Sequence, residues 1–258
     1  MGPSEERVRV EVEGHRATIT LDSPAKRNAM SEPLVEQLQA ALATAIEDPD
    51  VRVIVVTAVG SVFCAGADLK PEPLAVGAGD FRAARAGALF NAMLRCPKPL
   101  VARVNGHARA AGVGLIGACD IAIAVDTATF AINEIRVGVL PATVSVPLTT
   151  RMSPGSLRRY SLTGEVFGSA DAVGSGLLDD CGELSFVDET VDHITQQFAL
   201  CEPGALQQIK PYLDTLVAMP RDQATEFAVS ISRRAFESAA AAEGRRAFRE
   251  HRAPAWAL

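Results

Sequence analysis

The chain has no long apolar run, no block of like charge, and no cysteine or histidine spacing typical of a disulfide framework or a metal site. Each lack removes a class of function. No stretch approaches the roughly 18 consecutive apolar residues of a membrane span. The opening MGPSEERVRVEVEG is charged where a signal peptide would be apolar. Met-Gly matches the start of a myristoylation signal, but Glu6 stands where that signal needs Ser or Thr. A cytoplasmic protein without a membrane partner is expected. The 31 acidic and 25 basic residues are interspersed, with a formal net charge of −6 and a pI near 5.3, so no basic footprint for nucleic acid is present. Cys64, Cys96, Cys119, Cys181 and Cys201 are odd in number and form no CxxC pair; His15, His107, His193 and His251 form no HExxH. Neither structural disulfides nor a metal is expected.

What is present is a chain of 258 residues, 48% hydrophobic, long enough to bury a large core. Arg7–Glu13 alternates, turns at Glu13-Gly14-His15, and continues into ATITL at 17–21, which reads as a hairpin. After the polar loop DSPAKRN, Ser31 is placed to cap a helix in which Leu34, Leu38, Leu42 and Ala45 recur at helical spacing. VRVIVVTAV at 51–59 and LVARV at 100–104 have the continuous apolar character of strands buried on both faces. Each is followed by a small-residue loop, GSVFCAGADLK and NGHARAAGVGLIGACD. Loops at the carboxyl ends of buried strands are where an open α/β sheet keeps its ligand. Small side chains let a ligand approach the backbone and leave N–H groups to meet it; the same glycines also serve close helix–strand packing. A further strand is expected at 121–125 and another at 177–179, and the chain from Phe186 onward reads as helical. The division expected is an αβ core over 1–190 and a helical region over 191–258.

Gly112-x-Gly114-x-x-Gly117 matches the dinucleotide-binding fingerprint only as text. Several residues separate the preceding strand from Gly112, and no acidic residue closes a strand about 20 residues on. Glu134 stands as one carboxylate in the apolar stretch ATFAINEIRVGVLP, with Arg136 expected on another face. From the residues alone it reads as a solvated surface group.

The motifs in order change that reading. AKRNAM (25–30), FCAGADL (63–69), NGHARAAGVGLIGACD (105–120), FAINEIRVGVLP (130–141), SLTGEVFGSADAVGSGLLDD (161–180) and EGRRAFREHRAPAW (243–256) together resemble the enoyl-CoA hydratase/isomerase, or crotonase, superfamily. The resemblance covers nearly the whole chain. It implies an α/β fold, a spiral of ββα turns with a C-terminal helical trimerisation region, and assembly into a homotrimer or a hexamer of paired trimers. It further implies an acyl-CoA thioester as substrate, so that coenzyme A is part of the substrate and no separate cofactor is needed. The thioester oxygen would be held by the backbone N–H groups of Ala67 and Ala111, the latter standing where relatives have the middle glycine of GGG. Each such donor contributes about 3–4 kcal/mol to an enolate-like transition state. Lys26, Ala65, Ala67, Asp68, Leu69, Lys70 and Ala111 would contact the CoA thioester, and Glu134 would be the acid/base group, its apolar neighbours Phe130, Ile132, Ile135 and Val137 raising its pKa.

One position departs from the pattern. Gly114 stands where hydratases with the full pattern carry another glutamate. A single glutamate leaves three readings open. The leading one is a hydratase that adds water across the 2,3 double bond of an enoyl-CoA. The alternative is a Δ3,Δ2-enoyl-CoA isomerase, in which one glutamate shuttles a proton between two carbons. The third is a non-catalytic acyl-CoA-binding protein. If the space beside Gly114 is open, Gly114→Glu should strengthen hydration.

Overall fold

The computed structural model describes residues 7–68 and 78–258, with side chains described from residue 83 in the second segment. In chain order the strands and helices are β1 (Val8–Glu13), β2 (Arg16–Leu21), α1 (Glu32–Glu47), β3 (Val53–Ala58), β4 (Val62–Cys64), α2 (Ala78–Leu94), β5 (Leu100–Val104), β6 (His107–Arg109), α3 (Ala111–Gly117), β7 (Ile121–Val125), β8 (Thr129–Ala131), α4 (Ala142–Arg151), α5 (Pro154–Thr163), β9 (Phe167–Gly168), α6 (Ser169–Ser175), β10 (Asp180–Gly182), α7 (Leu184–Ala199), α8 (Pro203–Ala218), α9 (Arg221–Glu237) and α10 (Ala239–Arg249). Two 3-10 turns, Pro24–Lys26 and Glu134–Val137, lie between them.

The strands form two sheets, and the chain alternates between them. The larger runs β1-β2-β3-β5-β7-β10 and is parallel except for the β1–β2 hairpin; the smaller runs β4-β6-β8-β9. The turns β3-β4-α2, β5-β6-α3 and β7-β8-α4 each place one long strand in the first sheet, one short strand in the second, and then a helix. That repeat is the ββα spiral. Its corner is tight at Gly106, where a Cβ would stand 2.0 Å from the Ser61 carbonyl oxygen, so only glycine fits between β5 and β6.

Burial follows the sequence pattern. All six residues of β3 are buried, as a strand covered on both faces requires. β2 alternates, burying Ala17, Ile19 and Leu21. α1 buries Leu34, Val35, Leu38, Ala41, Leu42 and Ala45 along one stripe. Its last carbonyls are met by an unexpected donor: the buried Lys98 ammonium reaches the Ala45 and Asp48 carbonyl oxygens at 2.7 and 2.5 Å. α3 is buried along its entire length.

Three local expectations are corrected. Ser31 flanks α1 but its hydroxyl makes no cap; the oxygen is buried without a partner, and Pro33 sets the first turn instead. The strand expected at 177–179 lies at Asp180–Gly182 and pairs with β7. The helical pattern that the sequence carries unbroken from Asp222 to Phe248 breaks at Ser238, whose hydroxyl oxygen accepts from the Ala241 N–H and starts α10 anew. The chain forms two compact units, one ending at Thr195 and one over Gln196–Leu258. In the second unit Glu243 gathers Arg246, Arg252 and the Ala255 N–H, and Gly244 faces the Trp256 ring. These pairs hold its pKa down to about 2, through the Arg252 bond first and Arg246 second. No helix among the described residues is long and apolar enough to cross a membrane.

Candidate active site

The small sheet sets the geometry. β4, β6 and β8 run parallel, with Cys64, Ala108 and Phe130 on one rung. Past that rung each strand releases a loop at the same end of the sheet, and these loops carry Ala67, Ala111 and Glu134. Residues far apart in the sequence are thereby brought to three adjacent strand ends.

The first two loops touch. Gly66 has φ +89°, and a Cβ there would lie 2.9 Å from both the Ala110 Cβ and the Arg109 carbonyl oxygen. Glycine is required on both counts. Gly112 is equally confined: a Cβ there would lie 2.4 Å from the Cys64 carbonyl oxygen. Ala110 holds φ +49° although it has a side chain. Such a conformation costs about 1–3 kcal/mol and persists where its surroundings over-determine it. Here the Ala110 N–H donates to the Ala131 carbonyl at 2.9 Å, and its own carbonyl accepts from Val113 and Gly114. The consequence falls on the next residue. Ala111 opens α3, and its N–H, like that of Ala67, has no acceptor among the described residues.

Glu134 begins the 3-10 turn after β8. Its side chain is half-buried, and its Oε2 is enclosed without a hydrogen-bond partner. Burial pushes its pKa above the ordinary carboxylate value, an effect partly offset by a hydrogen bond from its own backbone N–H. The apolar setting differs from expectation in one respect. Phe130 and Ile132 are fully buried, whereas Ile135 and Val137 are 42% and 61% exposed, because the 3-10 turn swings them outward. Arg136 points away from the carboxylate and donates to the Thr163 carbonyl.

Of the other residues singled out, Lys26 lies in the first 3-10 turn, half-buried and without a carboxylate partner among the described residues. Its segment runs along the loop after β4: the Ala65 N–H donates to the Arg27 carbonyl at 3.0 Å and the Met30 N–H to the Gly66 carbonyl at 2.8 Å. Ala65 and Asp68 are half-buried. Leu69 and Lys70 lie outside the described residues. Cys64, next to this loop, is buried completely, and that burial pushes its thiol up to about 12, which makes it inert as a nucleophile.

The space beside Gly114 is closed. A Cβ there would meet the Phe90 ring, 2.8 Å from Cζ and 3.2 and 3.3 Å from the two Cε atoms. Phe90 comes from α2 and is 1% exposed. An aromatic ring therefore fills the place that the sequence left open. No pattern in the chain pairs residues 90 and 114; only the packing of α2 on α3 reveals it. The left-handed Ala110 was equally invisible, since alanine gives no hint of a positive φ.

Two N–H groups without an acceptor among the described residues, and one poorly solvated carboxylate whose Oε2 has no partner, can at neighbouring strand ends stabilise an oxygen gaining negative charge and move a proton beside it. Among the described residues no group of three His, Cys, Asp or Glu side chains could hold a metal.

Known proteins share this architecture. Enoyl-CoA hydratase EchA19 of Mycobacterium tuberculosis is 33% identical over 255 residues, spanning 95% of this chain and 94% of that protein. The mitochondrial enoyl-CoA hydratase domain-containing protein 3 of Danio rerio is 31% identical over 261 residues, spanning 99% and 89%. The solved structure of an enoyl-CoA hydratase of Mycobacterium smegmatis superposes with a TM-score of 0.91 at 30% identity, covering 98% of this chain and 100% of that one. The family model for enoyl-CoA hydratase/isomerase matches residues 11–257, and the chain belongs to that family.

Proposed function

We propose that the protein is an enoyl-CoA hydratase, adding water across the 2,3 double bond of an enoyl-CoA. The observation that carries this reading is the enclosed, unpartnered Oε2 of Glu134 at a strand end beside the free N–H of Ala111. The thioester oxygen sits between the N–H groups of Ala67 and Ala111, which take up the charge that develops as the enolate forms. Glu134 accepts a proton from water as the water oxygen bonds to C3, and returns a proton to C2. The sum is one water added, with the carboxylate restored. Lys26, Ala65 and Asp68 flank the CoA, with Lys26 free to meet a phosphate. The hydratase names of the relatives support this choice of reaction.

A second reading is favoured by one observation. Phe90 closes the place of a second carboxylate, and a single acid/base group suits an isomerase that moves a proton between C2 and C4. Purified protein offered 2-enoyl-CoAs should consume the conjugated thioester absorbance; offered 3-enoyl-CoAs it should not generate that absorbance. The reverse pattern selects the isomerase. No turnover of either, with thioesters still bound, leaves an acyl-CoA-binding protein.

Assembly into trimers, singly or paired, belongs to the same proposal. The helical unit leaves Val217, Phe236 and Phe248 90%, 69% and 82% exposed, more apolar surface than a solitary unit gains by keeping in water. Light scattering should give three or six times the 27.2 kDa chain mass; a monomer would refute it.

A further inference from the structure

The segment before α1 and the connection from β3 into β4 are joined by one side chain. Asn28 is fully buried. Its Oδ1 accepts from the Ser23 N–H at 2.8 Å, at the start of the turn that carries Lys26. Its Nδ2 donates to the carbonyls of Val59 and Val62, at 3.0 and 2.7 Å, which bracket the entry to β4, the strand that leads into the loop bearing Ala67. Asn28 has φ +52°, a conformation asparagine tolerates better than other residues with a side chain. No other amide-sized side chain supplies one acceptor and two donors from such a backbone. Beyond it the two segments continue in contact through the Met30 N–H and Gly66 carbonyl, and Met30 bridges Ala67.

We propose that Asn28 is a positioning residue that ties the Lys26 turn to the loop presenting the Ala67 N–H, so that gripping the CoA and aiming the oxyanion donor are one geometry. This rests on the reading of Ala67 as an oxyanion donor. Asn28 touches no substrate; it acts through the carbonyls of Val59, before β4, and Val62, the strand's first residue. Losing its bonds leaves two part-buried carbonyls and one N–H to find other partners, and the loop shifts to provide them.

Two variants separate this from a purely structural role. Asn28→Gly keeps the left-handed backbone and loses all three bonds. Asn28→Asp keeps the backbone and the acceptor toward Ser23 and sets a second carboxyl oxygen against the two carbonyls in place of the amide donors; it carries the test if the glycine variant fails to fold. The readout is the absorbance of a bound enoyl-CoA whose double bond is conjugated to a dialkylaminophenyl ring. Polarisation of its thioester carbonyl by the N–H donors shifts that band to the red, whether or not turnover occurs. In folded variants the red shift should be largely lost and kcat for a turned-over enoyl-CoA should drop about 10²-fold, the scale of a lost oxyanion donor. The KM rise should be smaller for an enoyl-pantetheine, which lacks the nucleotide, than for the CoA ester. A folded variant with the wild-type red shift and kcat would overturn the proposal, even if its Tm is lower. A wild-type protein that shifts the band but turns nothing over refutes hydration and leaves the role of Asn28 standing; a wild type with no shift overturns both.

Discussion

Glu134→Gln should lower kcat by about 10²–10⁴-fold, the range set by loss of a positioned acid/base group, with little change in KM. The amide keeps the shape of the carboxylate and cannot take the proton from water or return it to C2. The same substitution should raise stability at neutral pH. Burial holds the Glu134 pKa above its ordinary value of 4.5, so the folded chain binds this proton more tightly than the unfolded chain does. The stabilising effect of that proton is complete below the unfolded value and is lost as pH rises through the folded one. At neutral pH the ionised, half-buried carboxylate therefore subtracts from stability. Removing the charge should return about 1 kcal/mol, or roughly 2–4 °C in Tm. The acid limb of the wild-type rate profile should correspondingly lie above the usual carboxylate range, because hydration starts from the ionised form. Steady-state kinetics, a pH profile and thermal unfolding on one pair of proteins decide this. Near-normal turnover in Glu134→Gln would end the assignment.

That pairing of lost activity with gained stability is the signature of a group held for chemistry. A carboxylate retained only for the fold would have found a partner for Oε2. Glu243 has done so: it binds two arginines and a backbone N–H, and its pKa falls instead of rising.

The long elements were legible because hydrophobic period and length act locally. VIVVTA announces a strand buried on both faces, and the stripe Leu34, Leu38, Leu42, Ala45 announces α1. The small sheet was not legible. Its strands have two or three residues, too few to display a period of two, and β8 lies in ATFAIN with buried residues on both faces. They exist because β4, β6 and β8 complete one another's ladders, which is a tertiary fact. The candidate site residues came from several motifs in fixed order. What escaped was what is set by contact alone: the Phe90 ring against Gly114, the strained Ala110, and the outward turn of Ile135 and Val137.

The Phe90–Gly114 contact gives the other large effect. Gly114→Glu alone should not create a second catalytic carboxylate; it should destabilise the protein by about 3–5 kcal/mol, from overpacking together with a buried, unpaired charge. The new Cβ would begin 2.8 Å from the Phe90 Cζ, inside a helix that has no exposed face to which it can turn. Phe90→Ala alone should cost a similar amount, about 3–5 kcal/mol, by leaving a cavity under α3. Combined, the two changes share one volume, and the double variant should be more stable than their sum by about 1–3 kcal/mol in a denaturant double-mutant cycle. It should also direct a second carboxylate from α3 into the place of the lost ring. If hydration is the reaction, the double variant should hydrate 2-enoyl-CoAs faster than Phe90→Ala does, because a second group then shares the work of activating water. If the reaction is isomerisation, the added carboxylate has no proton to carry and the rate should not rise. Wild-type stability in Gly114→Glu would show that Phe90 moves aside freely. The ring would then no longer account for the single-glutamate site, and the choice between one base and two would lie with the substrate and not with the packing of α2 on α3.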